Sequence, residues 1–338
     1  MKIYIDAACD ILFSSFYIKG IEEYWGKEKI FFKNTPFPNF KFNNHFLAFI
    51  IKEEKSERKI IIDYADTSNV NKIALGWSDL YCKINIDEHK NYNSNKIISI
   101  GPSFGINLYS IPKTFFLSIL NYIKSYRRID SIKRFFSNYK AQLNRPKLDD
   151  YYPGSEEHNY IYFVGSLWRK EKKTNANRAN FIRACLSKNI NFEGGFAPRS
   201  KNDIQGYEDL TMELRDDIKT YINKTKKSII AFNTPAVEDC HGWKLAEFLC
   251  FGKAILTTEI SRILPKKLTN KKDIFITDGS QKDIEEKLEN LKNNEELRKL
   301  LKQNARKYYE NELAPVKVIH KIIESNQKIK FNTPSELL

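Results

Sequence analysis

The chain has 338 residues, which suits two domains of ordinary size and exceeds most single cores. Hydrophobic residues make up 41% and charged residues 29%, a balance that excludes an intrinsically disordered chain. Lys and Arg outnumber Asp and Glu by 56 to 42, and the net charge of +14 points to phosphate-bearing partners: nucleic acid, anionic lipid or a nucleotide-carrying substrate.

Along the first half, KIYID reads as a strand, followed by a loop and a helix over FYIKGIEEYW, then KIFF as a second strand. FLAFIIK, KIIIDYAD, DLYCKINI and KIISIGPSF are further short, β-rich runs bounded by turn residues. The alternation predicts a mainly parallel sheet with crossover helices. Residues 113–145 read as helix, and Pro146 with DDYYPGSEEHN marks the boundary between domain 1–150 and domain 151–338. The second half alternates strands YIYFVGSLW, INFEGGF, SIIAFNTP, KAILTTE and DIFITD with helices such as NANRANFIRACLS and GWKLAEFLCFG, and ends in a helix pair over 281–326. This order predicts an α/β, Rossmann-like domain, whose ligands sit at the carboxyl ends of the strands.

The longest charge-free run, between Lys96 and Lys113, is broken by Gly101, Pro102, Gly105 and Pro112 and falls short of the roughly 18 apolar residues of a membrane span. Asp6 and Asp10 interrupt the apolar core that a signal peptide would need. Cys9, Cys82, Cys185, Cys240 and Cys250 fit neither a metal knuckle nor a disulfide framework, so reduced thiols and a cytoplasmic location are expected.

The most informative stretch runs from Ala231 to Thr258. An apolar strand ends in Asn233-Thr234-Pro235, the acids Glu238 and Asp239 follow, Gly242 opens a helix carrying Lys244 and Glu247, and Gly252-Lys253-Ala254 leads into the next strand. A helix start of this kind attracts anions, and Lys244 in its first turn adds charge. Glu247 stands about one turn further on the same face. A phosphate could contact the helix start and Lys244 while a ribose hydroxyl pairs with Glu247.

With Pro235 four residues before Asp239, Gly242 three after it, and seven residues between Asp239 and Glu247, the segment resembles the donor-site signature of retaining nucleotide-sugar glycosyltransferases of the GT-B fold, the family-4 and family-1-like bacterial enzymes. The resemblance is tight over about 30 residues and loose over the rest of the second half, where KLLKQNARKYYENEL is similar to the closing helices of that family. It implies an α/β fold of two Rossmann-like domains facing across a cleft, a ribose contact at Glu247, and a place beside the transferred sugar for Asp239 or the adjacent Glu238. Pro235, Gly242, His241 and Lys244 complete the implied donor loop. Asp239 stands where the family carries Glu, and Ser166 stands at the usual Arg position after Gly165, with Arg169 and Lys170 as substitutes for the basic pair.

Gly165 and Ser166 would offer backbone N–H groups to a diphosphate, with Arg169 or Lys170 adding charge. Glu193-Gly194-Gly195 permits either close approach to a ligand or a plain tight turn. On the acceptor side, Asp63 and Asp66 end one strand, and Ser103 lies in the Gly101–Gly105 loop after another. No carboxylate or histidine cluster has metal-ligand spacing, so no metal and no cofactor are expected. From Tyr122 to Lys147 eight basic residues face one acid, Asp130, with aromatic residues interleaved. The pattern suits an anionic membrane surface, or a solvated helix with its aromatics in the core.

The reading is a glycosyltransferase moving a sugar from a nucleotide-sugar donor to a hydroxyl of a glycan or lipid-linked glycan, as in surface-polysaccharide synthesis. It would be cytoplasmic and peripheral on the inner face of the membrane. The alternative is a non-catalytic nucleotide- or nucleic-acid-binding protein of the same fold. Nucleic acid is not expected, because no nucleic-acid-binding motif is present, and an oxidoreductase is disfavoured because no G-x-G-x-x-G follows a strand.

Overall fold

The computed structural model describes residues 1–40, 43–199 and 203–332. The chain divides into two compact units: Met1–Lys147 with Ile263–Pro265 and the segment from Glu312 onward, and Leu148–Arg262 with Lys266–Asn311.

The first unit comprises β1 (Lys2–Asp6), α1 (Ile11–Trp25), β2 (Ile30–Lys33), β3 (Phe46–Lys52), β4 (Glu57–Asp63), α2 (Lys72–Trp77), β5 (Leu80–Lys83), β6 (Ile97–Ser99), α3 (Ile111–Ser125) and α4 (Ile132–Leu143). The strands form one sheet in the order β2-β1-β3-β4-β5-β6. It is mixed, where the sequence predicted a mainly parallel sheet: β3 runs antiparallel to both β1 and β4. The cause is the short connection after β3, closed by Glu53 N–H donating to Ser56 O at 2.9 Å, because a tight hairpin can join only antiparallel strands. Parallel pairing holds for β1–β2, β4–β5 and β5–β6.

Two helix boundaries depart from the sequence reading for local reasons. Helix α1 starts at Ile11, ahead of Phe16, because Asp10 Oδ1 accepts from the N–H groups of Leu12 and Phe13 and caps the first turn. The predicted helix over 113–145 is two helices. Arg128 turns inward between them to donate to both oxygens of Asp6, at 2.6 and 2.9 Å, and Ser131 caps the start of α4.

The second unit comprises β7 (Tyr160–Gly165), α5 (Lys172–Ser187), β8 (Asn191–Phe196), α6 (Ile218–Lys227), β9 (Ile230–Asn233), α7 (Trp243–Phe251), β10 (Ala254–Thr257), β11 (Phe275–Ile276), α8 (Gln281–Asn293) and α9 (Glu295–Tyr308). β7 pairs parallel with β8, and β10 pairs parallel with β9 and β11. Ile229 N–H donates to Tyr160 O at 2.9 Å and Tyr162 N–H to Ser228 Oγ at 3.0 Å, so β7 lies beside the entrance to β9. The strand order is therefore β8-β7-β9-β10-β11; a helix follows each of β7, β8 and β9, and an irregular segment joins β10 to β11. Phe163, Phe181 and Phe232 centre the core, the last two stacked at 4.1 Å. The final helix, α10 (Pro315–Asn332), returns to the first unit and packs along α1. Gly20 permits that approach: a Cβ there would stand 2.3 Å from Pro315 O.

Candidate functional site

In the second unit the loop after β7, the loop after β9 and the start of α7 meet around a cavity of about 160 Å³. Phe163, Ser166, Trp168, Arg178, Thr234 and Lys244 line it. Arg178, on α5, is buried; its Nε donates to Thr234 Oγ1 at 2.9 Å, and its NH1 to Ser166 O at 2.7 Å. The same guanidinium reaches Pro235 O at 3.5 Å. All three partners are neutral oxygens, and burial pulls the Arg178 pKa down to about 10.

Lys244 approaches the same cavity from α7. Its ammonium lies 5.1 Å from the centre of the Phe163 ring and 5.8 Å from that of Tyr221. Desolvation pushes its pKa down to about 7, with Arg178 and Arg215 acting the same way and Glu247 opposing them. Among the described residues no carboxylate stands within ion-pair distance of Arg178 or Lys244. Gly242 occupies the N-cap of α7, and no side chain caps that helix. Two cations and an uncapped helix start thus converge on one cavity, an arrangement that favours an anion.

Glu247 is buried behind this wall and is absent from the cavity lining; its Oε2 accepts from Tyr221 Oη at 2.8 Å. His241 is also buried. Glu238 and Asp239 are exposed, and both take left-handed backbone, with φ of 54° and 59°. That conformation costs roughly 1–2 kcal/mol per residue for a non-glycine. The loop is pinned: Glu238 N–H donates to Glu171 Oε1, Arg262 donates to Glu238 O, and Ser261 donates to Asp239 O. Strained acids held by neighbours on three sides are a recurrent feature of functional loops.

The basic residues expected after β7 fall differently. Arg169 is exposed and paired at 2.8 Å with Asp203, which Arg199 also holds, and the two guanidiniums pull the Asp203 pKa down to about 2. Lys170 is exposed. Gly165 ends β7, and the Ser166 carbonyl is taken by Arg178. Gly194 serves strand pairing: a Cβ there would stand 1.8 Å from Phe163 O on β7. Lys253, in the turn after α7, is buried and structural, donating to Glu156, Lys226 O and Ser228 O.

Arg178 lies outside the motif that the sequence marks, and its signal is an arginine about one and a half turns into the helix after a loop at a strand end. A second residue outside that motif is Asp10. In the first unit a cavity of about 120 Å³ at the end of β1 is lined by Cys9, Asp10, Asn44, Arg134, Phe135 and Asn138, among others. Asn138 donates to Asp10 Oδ2 at 2.6 Å, and burial raises the Asp10 pKa to about 6. The acceptor-side residues read from sequence lie elsewhere. Asp63 is buried, with Oδ1 accepting from Ala65 N–H and Oδ2 from Tyr81 Oη and Lys83 Nζ. Ser103 is buried and Asp66 is exposed. Among the described residues no three His, Cys, Asp or Glu side chains cluster to hold a metal ion, and no helix is long and apolar enough to cross a membrane.

No protein-family model matches the chain, and no curated protein matches it. Among solved structures it is similar to a glycosyltransferase from Rickettsia africae at 15% identity, covering 78% of this chain and 66% of that one with a TM-score of 0.42. It is similar to Anabaena Alr3699/HepE in complex with UDP at 10% identity, covering 74% and 72% with a TM-score of 0.43. The C-terminal domain of a glycosyl transferase group 1 family protein, LpcC from Francisella tularensis, is 15% identical, with 48% and 96% covered and a TM-score of 0.36. These are distant likenesses, and the functional reading rests on the site itself.

Proposed function

We propose that the protein is a glycosyltransferase that takes a sugar from a nucleotide-sugar donor, with the donor diphosphate on Arg178, Lys244 and the start of α7. The observation that carries this reading is the convergence of two cations, neither ion-paired, on one cavity at the ends of β7 and β9. As the bond from the anomeric carbon to the diphosphate breaks, negative charge gathers on the leaving oxygen. Fixed cations in a partly water-excluded pocket stabilise that charge more than the ground state. These groups take the part a divalent ion would otherwise play, so the reading includes metal-independent transfer.

Trp168 offers an aromatic wall beside the phosphates. Glu247, whose Oε2 is engaged by Tyr221, is placed to exchange that bond for a ribose hydroxyl, and otherwise acts by holding charge on Lys244. Asp239, with Glu238 beside it, stands as the acid nearest the transferred sugar. Acceptor polar groups are seated at the Asp10, Arg134 and Asn138 cavity, because the oxygens of Asp63 are engaged inside the fold. The acceptor is a glycan or lipid-linked glycan hydroxyl.

The test is donor turnover: nucleoside diphosphate release from a panel of nucleotide sugars, with glycan and glycolipid acceptors present. The proposal expects release from one donor class, reduced at least about tenfold in Arg178→Met. Tight nucleotide binding with no donor consumed would identify a non-catalytic binder and refute transfer.

A further inference from the structure

Helix α3 is inside out. Its buried face carries Thr114, Ser118, Asn121 and Ser125, while its exposed face carries large apolar side chains. Ile111 is 72% exposed, Phe115 67%, Phe116 65% and Ile123 62%, and Ile119 and Tyr126 continue the same stripe. Most of the polar face is bonded within the unit: Ser118 Oγ donates to Phe115 O, Ser125 Oγ to Asn121 O, and Asn121 Nδ2 to Tyr139 Oη at 2.9 Å, while Asn121 Oδ1 is buried without a partner among the described residues. The small side chains let α3 sit close to its neighbours, and the apolar stripe is left against water. Contiguous exposed apolar surface of this kind marks an interaction site.

The charges around the stripe identify the partner. From Ile111 to Leu143 the only acid is Asp130. Lys113, Lys124, Arg127, Lys133, Arg134 and Lys140 are all exposed. We propose that α3 lies flat on an anionic lipid bilayer, with Phe115, Phe116, Ile119 and Ile123 seated at the acyl boundary and the flanking Lys and Arg on the headgroups. Such helices bury their apolar face about 5–10 Å into the interface. A second copy of this chain is a poor occupant, because it would bring the same cations face to face. The proposal concerns the first unit alone and does not depend on the donor-site reading.

The surface differs from the stretch between Tyr122 and Lys147 that the sequence marks. Arg128 is withdrawn into its pair with Asp6, and Phe135 and Tyr139 belong to the core. The apolar component instead comes from upstream, beginning at Ile111.

The test is co-sedimentation of the full chain with phosphatidylcholine vesicles, with and without phosphatidylglycerol, at about 0.1 M and 1 M salt, where the Debye length falls from about 10 Å to about 3 Å. Wild type is expected to prefer anionic vesicles and to lose part of that preference at high salt. Phe115→Ser/Phe116→Ser/Ile123→Ser should lower partitioning at least about tenfold at both salts. Arg127→Gln/Lys133→Gln/Lys140→Gln should remove mainly the salt-sensitive part. All six positions are exposed, so melting temperature and nucleoside diphosphate binding by the second unit should stay unchanged, which separates failure here from failure of the donor site. Absent or composition-independent vesicle binding, or full binding by the apolar triple variant, overturns the proposal. So does a wild-type oligomer that the apolar variant dissolves, with no vesicle binding, because it makes the stripe a subunit interface.

Discussion

The Lys244 ammonium lies 5.1 Å from the centre of the Phe163 ring, so a cation that no carboxylate among the described residues approaches to ion-pair distance rests on an aromatic face of β7. This resting place stabilises the charge less than water would, and the Lys244 pKa falls to about 7.

A pH dependence follows. A bound diphosphate favours charged Lys244, so binding takes up a proton above pH 7, and affinity should weaken as pH rises through about 7. Lys244→Met should bind roughly 1.5–3 kcal/mol more weakly at pH 6.5 and lose this part of the pH dependence. Calorimetry in buffers of different ionisation enthalpy reads the proton directly; equal uptake by wild type and variant contradicts the assignment.

The same shift predicts a stability profile of known sign. The folded pKa lies below the unfolded value of about 10.4, so between them the unfolded state binds more protons and wild-type stability rises with pH. The cost of burying the charge is full below pH 7 and gone above the unfolded value. Lys244→Met should therefore be more stable than wild type at pH 6, with the gap closing by pH 10 in denaturant titrations. A gap that widens with pH would reverse the argument.

Glu247 opposes the depression of the Lys244 pKa and accepts from Tyr221 Oη at 2.8 Å. Glu247→Gln should move the midpoint of the affinity profile below that of wild type, and Tyr221→Phe should move it little. If Glu247 also exchanges Tyr221 for a ribose hydroxyl, a nucleoside diphosphate should lose about 1.5–3 kcal/mol in Glu247→Ala while inorganic pyrophosphate loses less. Equal losses for the two ligands confine Glu247 to holding Lys244.

Much of this geometry is legible in the sequence. The spacing from Pro235 to Glu247 locates the loop and helix that border the cavity, and the apolar runs of the second half predict its alternating strands and helices. Three features escape for physical reasons. Hydrogen bonds to neutral oxygens hold Arg178 in place, and their acceptors lie in two separate loops, at Ser166 and at Thr234-Pro235, that no local pattern joins. Asp63 reads as a strand-end acid, yet its environment is set by Lys83 and Tyr81, some twenty residues away in the chain. Helix α3 has the periodicity of a core helix, but its two faces are reversed, and periodicity alone does not say which face is inside.

Packing makes a further prediction. Gly194→Ala places a Cβ 1.8 Å from Phe163 O at a φ of 120°, so β8 must shift from β7. The expected cost is roughly 2–4 kcal/mol in chemical denaturation, with weakened diphosphate binding because Phe163 supports Lys244. A stable Gly194→Ala protein would contradict the pairing of β7 and β8.

Whether Arg178 and Lys244 seat a nucleoside diphosphate is decided by calorimetric titration of wild type and Arg178→Lys with UDP, GDP, ADP and CDP. Lysine keeps the positive charge but cannot reproduce the bonds to Thr234 and Ser166 that aim the guanidinium. Wild type is expected to bind at least one diphosphate saturably and one-to-one without added metal, and the variant to bind it about tenfold or more weakly. No binding of any of the four, or equal affinity in the two proteins, would contradict the assignment.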